Sequence, residues 1–222
     1  MHPYVTNLAR LFEQHANAEK AAAAKAYMRN QFEYLGLTAA TRQRISKACI
    51  KDGLPGYDDL ETIVTALWRM PEREYQYFAI DLVAAFKKSW KKDIIKLLEF
   101  ILLNKSWWDT VDATSNLTGA YFKIFPGQVN TITGKWNRSG NFWLQRSSIL
   151  FQLKYKKDTD TILLAEYILA LVASKEFFVQ KAIGWILREY SKTNSKWVQD
   201  FVKQNRLAPL SEREALKRIQ IK

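Results

Sequence analysis

NFWLQRSSILFQ, residues 141–152, and EFFVQKAIGWIL, residues 176–187, decide the fold. Set one above the other, they place Phe142-Trp143 over Phe177-Phe178, Gln145 over Gln180 and Arg146 over Lys181. A third aromatic pair, Trp107-Trp108, stands a further 35 residues upstream. Chance readily supplies one such match; it does not supply three aromatic pairs with a glutamine and a cation in register. A 35-residue period leaves room for two helices per unit, which is the mark of a solenoid of stacked antiparallel helical pairs. The first half of the chain repeats less clearly, and the period does not phase it.

The rest of the chain reads the same way. Apolar residues recur at helical spacing: Leu8, Leu11 and Phe12; Ala24, Tyr27, Met28 and Phe32; Leu60, Ile63, Val64 and Leu67; Phe78, Leu82, Val83 and Phe86. Thr38 or Thr41 is placed to cap a helix carrying Ile45, Ala48 and Cys49, which Asp52-Gly53-Leu54-Pro55-Gly56 then stops. The most loop-like stretch, 125–141, leaves space for one short helix around Val129 to Trp136. Further starts at Phe142, Asp158, Lys175, Asn194 and Ser211 bring the set to roughly a dozen helices. No strand-like alternation is sustained, and 8 Gly with 5 Pro are too few for the many turns of a β-sandwich. The expected fold is all-α, a single right-handed solenoid domain over residues 1–222.

Composition narrows the function. The 222 residues are 48% hydrophobic and 25% charged, which excludes a disordered tail protein. One cysteine excludes an internal disulfide framework, and Cys49 with His2 and His15 cannot make a structural zinc site, so neither metal nor cofactor is expected. The most apolar stretch, Thr161 to Val172, is short and broken by Glu166, so no membrane span is expected. The N-terminus MHPYVTNLAR lacks the order of a signal peptide, and a cytoplasmic setting is the expectation. Lys and Arg exceed Asp and Glu by 34 − 22 = +12, with a pI near 9.7. Such an excess points to a polyanionic partner.

A solenoid has a concave face, and equivalent repeat positions point the same way. Arg146 and Lys181 then lie on one side, joined by Lys154, Lys156, Lys157, Arg188 and Lys192. A cationic ladder on a curved surface suits the evenly spaced phosphates of a duplex. The competing reading is a solvated outer face, where most lysines sit. Arg146 and Lys181, wedged between aromatic positions, favour contact with a ligand.

SWWDTVD, residues 106–112, carries the chemistry. At helical pitch Trp108 and Asp112 are i, i+4 neighbours on one face, with Trp107 and Val111 on the adjacent one. An indole beside a carboxylate is a poor core choice and a good receptor for a cation. Asp112 falls where the later repeats have Ser147 and Ala182, and a charge in place of small residues at an inward position needs a task. Service to the helix dipole suits Asp109, three residues after a Ser106 cap, better than Asp112.

With FWLQRSSILFQLKYK (142–156), SKEFFVQKAIGWILREYSKTN (174–194) and LAPLSEREALKRI (207–219), this motif closely resembles the AlkD family of alkylpurine DNA glycosylases, solenoids of HEAT-like helical pairs. The resemblance covers the whole chain and is most specific in the last 120 residues. It implies a monofunctional N-glycosylase, a monomer acting in base excision repair. Its substrate would be duplex DNA carrying cationic alkylated purines such as 7-methylguanine and 3-methyladenine. By motif position the family's catalytic-site residues fall on Trp108, Asp112, Arg146 and Trp185, and all four residue types are present. DNA contacts are expected at Lys154, Lys156, Lys181 and Arg188. AYMRNQFEYLGLTAATRQR (26–44) resembles the stretch that touches the opposite strand and adds Tyr27, Thr38, Arg42 and Arg44; the family's proline and paired arginines after LG are here Ala40 and Arg42-Gln43-Arg44.

Physical chemistry agrees. Alkylation makes the base a cation and a good leaving group, so the protein has only to stabilise the charge that moves onto the deoxyribose. Asp112 is suited to that and to orienting water, Trp108 and Trp185 to flanking the sugar, and Arg146 to holding a phosphate; that the base is not flipped is what the resemblance to the family implies. The alternative is a non-catalytic solenoid that binds damaged or branched DNA. A protein-binding solenoid predicts no cationic ladder and fits least.

Overall fold

The computed structural model describes residues 2–219 and is all-helical, with thirteen α-helices among the described residues. Backbone pairing of the β type is limited there to one isolated parallel bridge, Glu33 to Glu72. None of these helices is long and apolar enough to cross a membrane, and no group of three or more potential metal ligands occurs among the described residues. The chain divides into two compact units, one ending at Lys91 and the other beginning at Lys92.

The first unit contains α1 (Pro3–Glu13), α2 (Ala18–Tyr27), α3 (Ala39–Asp52), α4 (Leu60–Arg69) and α5 (Arg73–Ala85). Phe12 packs against Tyr75 and edge-on against Phe78, with Ile63, Val64 and Leu67 fully buried beside them. The stripe expected over Ala24 to Phe32 is not a core face: α2 ends at Tyr27, and only Met28 of the four is buried. Phe32 instead lies under the buried Arg73 guanidinium at 3.8 Å. The Glu74 carboxylate, also buried, accepts from the backbone N–H groups of Leu35, Gly36 and Leu37 and so ties the 31–38 connection to α5. Thr38 caps α3 by accepting from the Thr41 N–H.

The second unit contains α6 (Ile94–Leu103), α7 (Trp108–Ile124), α8 (Val129–Asn137), α9 (Phe142–Leu150), α10 (Thr161–Ala170), α11 (Phe177–Tyr190), α12 (Ser195–Gln204) and α13 (Pro209–Leu216). Short connections make sequence neighbours pack as pairs, α6 with α7 and α8 with α9. Most starts fall within three residues of expectation, because the caps are legible: Asn141, Asp160 and Asn194 each accept from first-turn N–H groups. Ser106 is an exception. Trp107 is the N-cap of α7, and the Ser106 hydroxyl donates backwards to Leu102 O at the end of α6.

The repeat is visible in hydrogen bonds as well as in sequence. The Gln145 amide donates to Ser139 O at 2.7 Å and the Gln180 amide to Ser174 O at 3.0 Å, the same six-residue loop-back before α9 and before α11. Two glycines set the helix spacing. A Cβ on Gly119 would lie 2.2 Å from Phe151 O, so α7 passes directly against the end of α9. A Cβ on Gly184 would lie 2.6 Å from the Glu214 Cβ and 2.8 Å from Ser211 O, so α13 passes directly against α11. Around these contacts Ile149, Leu164, Ile168, Val179, Ile183, Ile186 and Val198 form the apolar core of the second unit.

Candidate active site

The 35-residue period brings the aromatic pairs together at the starts of α7, α9 and α11. Trp107 packs edge-on against Trp143 and Phe178, with ring centroids 6.0 and 5.3 Å apart, while Trp143 and Phe178 approach to 4.7 Å. Phe142 stacks parallel to Phe178. This cluster is more than apolar filling, because it fixes backbone beside a buried charge. Arg146 Nη1 donates to Phe178 O at 2.6 Å.

Arg146 lies on α9 with a side chain only 5% exposed, and it finds its counter-charge on α7. Its Nε donates to Asp112 Oδ1 at 2.7 Å and its Nη2 to Oδ2 at 3.0 Å. This is the bidentate fork that a guanidinium makes with a carboxylate, and it fixes the carboxylate plane as well as its position. Each carboxylate oxygen has about two acceptor directions, so the fork leaves roughly one on each free. Asp112 keeps 17% of its side chain exposed, so the residue is not sealed from solvent. Burial pushes the Asp112 carboxyl above its ordinary pKa, Arg146 pulls it back, and Asp109 adds a small upward push. The Trp185 ring lies 5.9 Å from the Arg146 guanidinium carbon. Trp108 is one turn before Asp112 on α7 and is partly exposed. The four residues expected to be catalytic therefore share one region of the second unit, built by α7, α9 and α11.

The structure adds to the expected phosphate contact of Arg146 a set of bonds inside the protein. The side chain is nearly buried, and three of its five N–H groups are used within the protein, on Nε, Nη1 and Nη2. The repeat placed Arg146 and Lys181 alike; burial separates them.

The remaining cations fall into two groups. Lys154, Lys156 and Lys157 are exposed at the turn after α9, with Lys156 in the left-handed backbone region at φ 55°. Lys181 and Arg188 on α11 are half-buried and converge on one carboxylate, Glu214 of α13: Lys181 Nζ at 3.0 Å from Oε1, and Arg188 Nη1 on Oε2. Lys192 pairs with Glu189 of its own helix. In the first unit Tyr27 is 75% exposed, the Thr38 hydroxyl serves as the α3 cap, Arg42 donates to Asp81 at 2.9 Å and lies over Tyr77, and Arg44 reaches His15 Nε2 at 3.3 Å. Arg42 is thus held in place by structure, whereas Arg44 sits in an exposed contact.

Three participants were not found from the sequence. Phe178 acts through its carbonyl, which no side-chain pattern reveals. Gly184 reads as a helix-weakening residue until α13 is seen against it. Glu214 had a faint signal, an acid 33 residues after Lys181, mirroring Asp112 at 34 before Arg146.

Comparison with known proteins places this arrangement. A family model described as DNA alkylation repair enzyme matches residues 8–219. Among solved structures, one described as "Predicted DNA alkylation repair enzyme from Enterococcus faecalis" is 36% identical with a TM-score of 0.87, over 92% of this chain and 97% of that one. No curated protein sequence matches. With a helical-repeat fold and a family match over nearly all its length, the chain belongs to the DNA alkylation repair enzyme family.

Proposed function

We propose that the protein is a monofunctional DNA glycosylase that hydrolyses the N-glycosidic bond of cationic alkylated purines in duplex DNA, acting on the deoxyribose without extruding the base. The observation that carries this reading is the Asp112 carboxylate, forked by Arg146 at 2.7 and 3.0 Å with Trp185 against the guanidinium. A fixed anion needs no reorganisation when positive charge appears beside it, and a low-dielectric surrounding strengthens that interaction.

The bond between the base nitrogen and C1′ breaks with both electrons leaving on the base. An N7- or N3-alkylated purine carries a positive charge beforehand and departs neutral. The positive charge passes to the sugar, where Asp112 stabilises it. Water held by the free acceptor direction of Asp112 adds to C1′, and its surplus proton goes to Asp112 or to solvent. Trp108 and Trp185 supply faces against which the sugar and backbone rest, and a ring face also favours a nearby cation. Arg146 donates no proton in this scheme, because a guanidinium stays protonated. Its part is to orient Asp112. Backbone contacts then fall to Lys154, Lys156, Lys181 and Arg188 in the second unit and to Tyr27, Thr38, Arg42 and Arg44 in the first.

The test is a pair of duplex oligonucleotides, one with 7-methylguanine or a bulkier cationic purine adduct, one with hypoxanthine. Free base is expected from the cationic adducts, the bulky one included, and essentially none from hypoxanthine, whose departure needs a proton. Release of hypoxanthine with rejection of the bulky cation would mean a tight base pocket with a general acid. Binding with no release at all would favour a non-catalytic damage-binding protein.

A further inference from the structure

Glu214 has no part in the chemistry described above, yet it is the most heavily engaged carboxylate of the last two helices. It accepts from Lys181 Nζ and from Arg188 Nη1 at once, through different oxygens. Those two cations stand four residues before and three residues after Trp185, so at helical pitch all three side chains share one face of α11. Their side chains are 36% and 26% exposed, open enough to meet a ligand, while that of Glu214 is 13% exposed beneath them. The attraction of Lys181, Arg188 and Lys217 holds the Glu214 carboxyl below its ordinary pKa, with the Lys181 hydrogen bond the leading cause, so the anion persists at neutral pH.

A second, independent feature puts Glu214 there. Gly184, adjacent to Trp185, has no side chain, and the Glu214 Cβ and Ser211 O of α13 occupy the space where one would be. The Ser211 hydroxyl donates to Gln180 O and fixes the same approach one turn earlier. Gly inside a helix is destabilising relative to Ala, so its presence there needs a reason. Close passage of α13 at the level of Trp185 supplies one.

We propose that Glu214 is a positioning residue: it sets Lys181 and Arg188 on either side of Trp185 at the spacing needed to seat the DNA backbone over Asp112, and it does so at the expense of affinity for undamaged duplex. The proposal rests on the glycosylase reading given above. An acid beneath two phosphate-facing cations lowers their net charge from two to one, which weakens general attraction to DNA. What it adds is order, because two long, flexible side chains are held in one geometry before DNA arrives.

The experiment compares wild type with Glu214→Gln, Glu214→Asp, Lys181→Ala and Arg188→Ala. It measures single-turnover release of 7-methylguanine, affinity for undamaged duplex across a salt series, and thermal melting. Glutamine keeps the Cβ packing against Gly184 and removes the charge. Glu214→Gln is expected to bind undamaged duplex several-fold more tightly, with a log–log salt slope steeper by up to about 0.9, while releasing base about tenfold more slowly. Glu214→Asp, which keeps the charge on a shorter arm, is expected to recover part of the rate and to return affinity to the wild-type value. A residue that only stabilised the fold would lower melting temperature, affinity and rate together. That joint loss, a rate within about twofold of wild type, or a slower rate with unchanged affinity would each overturn the proposal. Lys181→Ala and Arg188→Ala separate the two levels. If neither weakens DNA binding, this face does not meet DNA and the proposal falls, while release of 7-methylguanine by the wild type tests the glycosylase reading separately. If both do and the Glu214→Gln split is absent, only the role of Glu214 falls.

Discussion

Arg146 and Lys181 occupy the same position in consecutive repeats, follow the same glutamine, and sit in helices that begin with the same kind of aromatic pair. Arg146 is buried, and its fork is spent on one carboxylate and one carbonyl. Lys181 is partly solvated and shares a carboxylate with Arg188. Both meet an acid about one repeat away, but Asp112 comes from the preceding helical layer and Glu214 from the following one. Equivalence in a repeat thus sets direction, and depth sets the role. On the proposed reading the buried cation orients its partner, and the rim cation has exposed surface with which to meet a ligand. Residue type matches depth, since a planar, permanently charged fork suits burial and a single flexible ammonium suits the rim.

The sharpest way to break this comparison is to neutralise the buried acid. Asp112→Asn is expected to lower base release by about 10²-fold or more, the cost of removing one key electrostatic group from a reacting centre. Affinity for duplex should hold or rise slightly, since a negative charge near phosphates has gone. The same change leaves Arg146 buried without its counter-charge, and breaking such a pair costs about 3–5 kcal/mol, so melting must be followed alongside the rate. A folded Asp112→Asn protein that releases 7-methylguanine at the normal rate removes Asp112 from the mechanism.

Removing the buried cation comes next. With Arg146→Met, Asp112 loses the hydrogen bonds and the charge that lower its pKa and keeps the burial that raises it. Base release needs the ionised carboxylate, which is lost as pH falls through the folded pKa. That pKa is already above the ordinary aspartate value, so the acid limb of the wild-type rate profile should lie above that value. In Arg146→Met it should lie higher still, with a rate about tenfold or more below wild type at neutral pH. For stability the sign is the reverse: a raised carboxyl pKa favours folding below the unfolded value, and that contribution is lost as pH rises through the folded one. An acid limb that stays put in Arg146→Met would mean that a group other than Asp112 sets it.

These residues also mark what the sequence could and could not say. The aromatic register, the alignment of Gln145 with Gln180 and the Thr38 cap were legible, because each depends on local spacing or on the chemistry of one side chain. Trp108, Asp112, Arg146 and Trp185 were legible as a set through the motifs that hold them. What they do to each other was not. The Asp112–Arg146 fork spans 34 residues and the Glu214 contacts span 33 and 26, and no local pattern encodes which face of one helix meets which face of another. The same limit misplaced Ser106, whose hydroxyl has a carbonyl behind it as well as N–H groups ahead. It also made Ala24 to Phe32 look like a core stripe, because alanines fit a buried or an exposed face equally well.

The smallest expected effect tests depth most directly. Counterions released on binding scale with the phosphates a protein neutralises, so each lost contact reduces the log–log salt slope by roughly 0.9. Lys181→Ala removes a rim cation and should flatten the slope by something approaching that amount, with affinity lowered only a few-fold at physiological salt. Arg146→Ala removes an equal charge one repeat earlier. Because that charge is buried against Asp112, the slope should stay within error of wild type even though the rate falls. Lys154→Ala, at an exposed lysine in the turn after α9 that is proposed to meet the backbone too, is expected to flatten the slope as Lys181→Ala does. Equal slopes for Lys181→Ala and Arg146→Ala would mean that the Asp112 fork opens when DNA arrives and that Arg146 does reach a phosphate. The division by depth would then describe the free protein alone, and the two repeat positions would be equivalent where it matters, on the duplex.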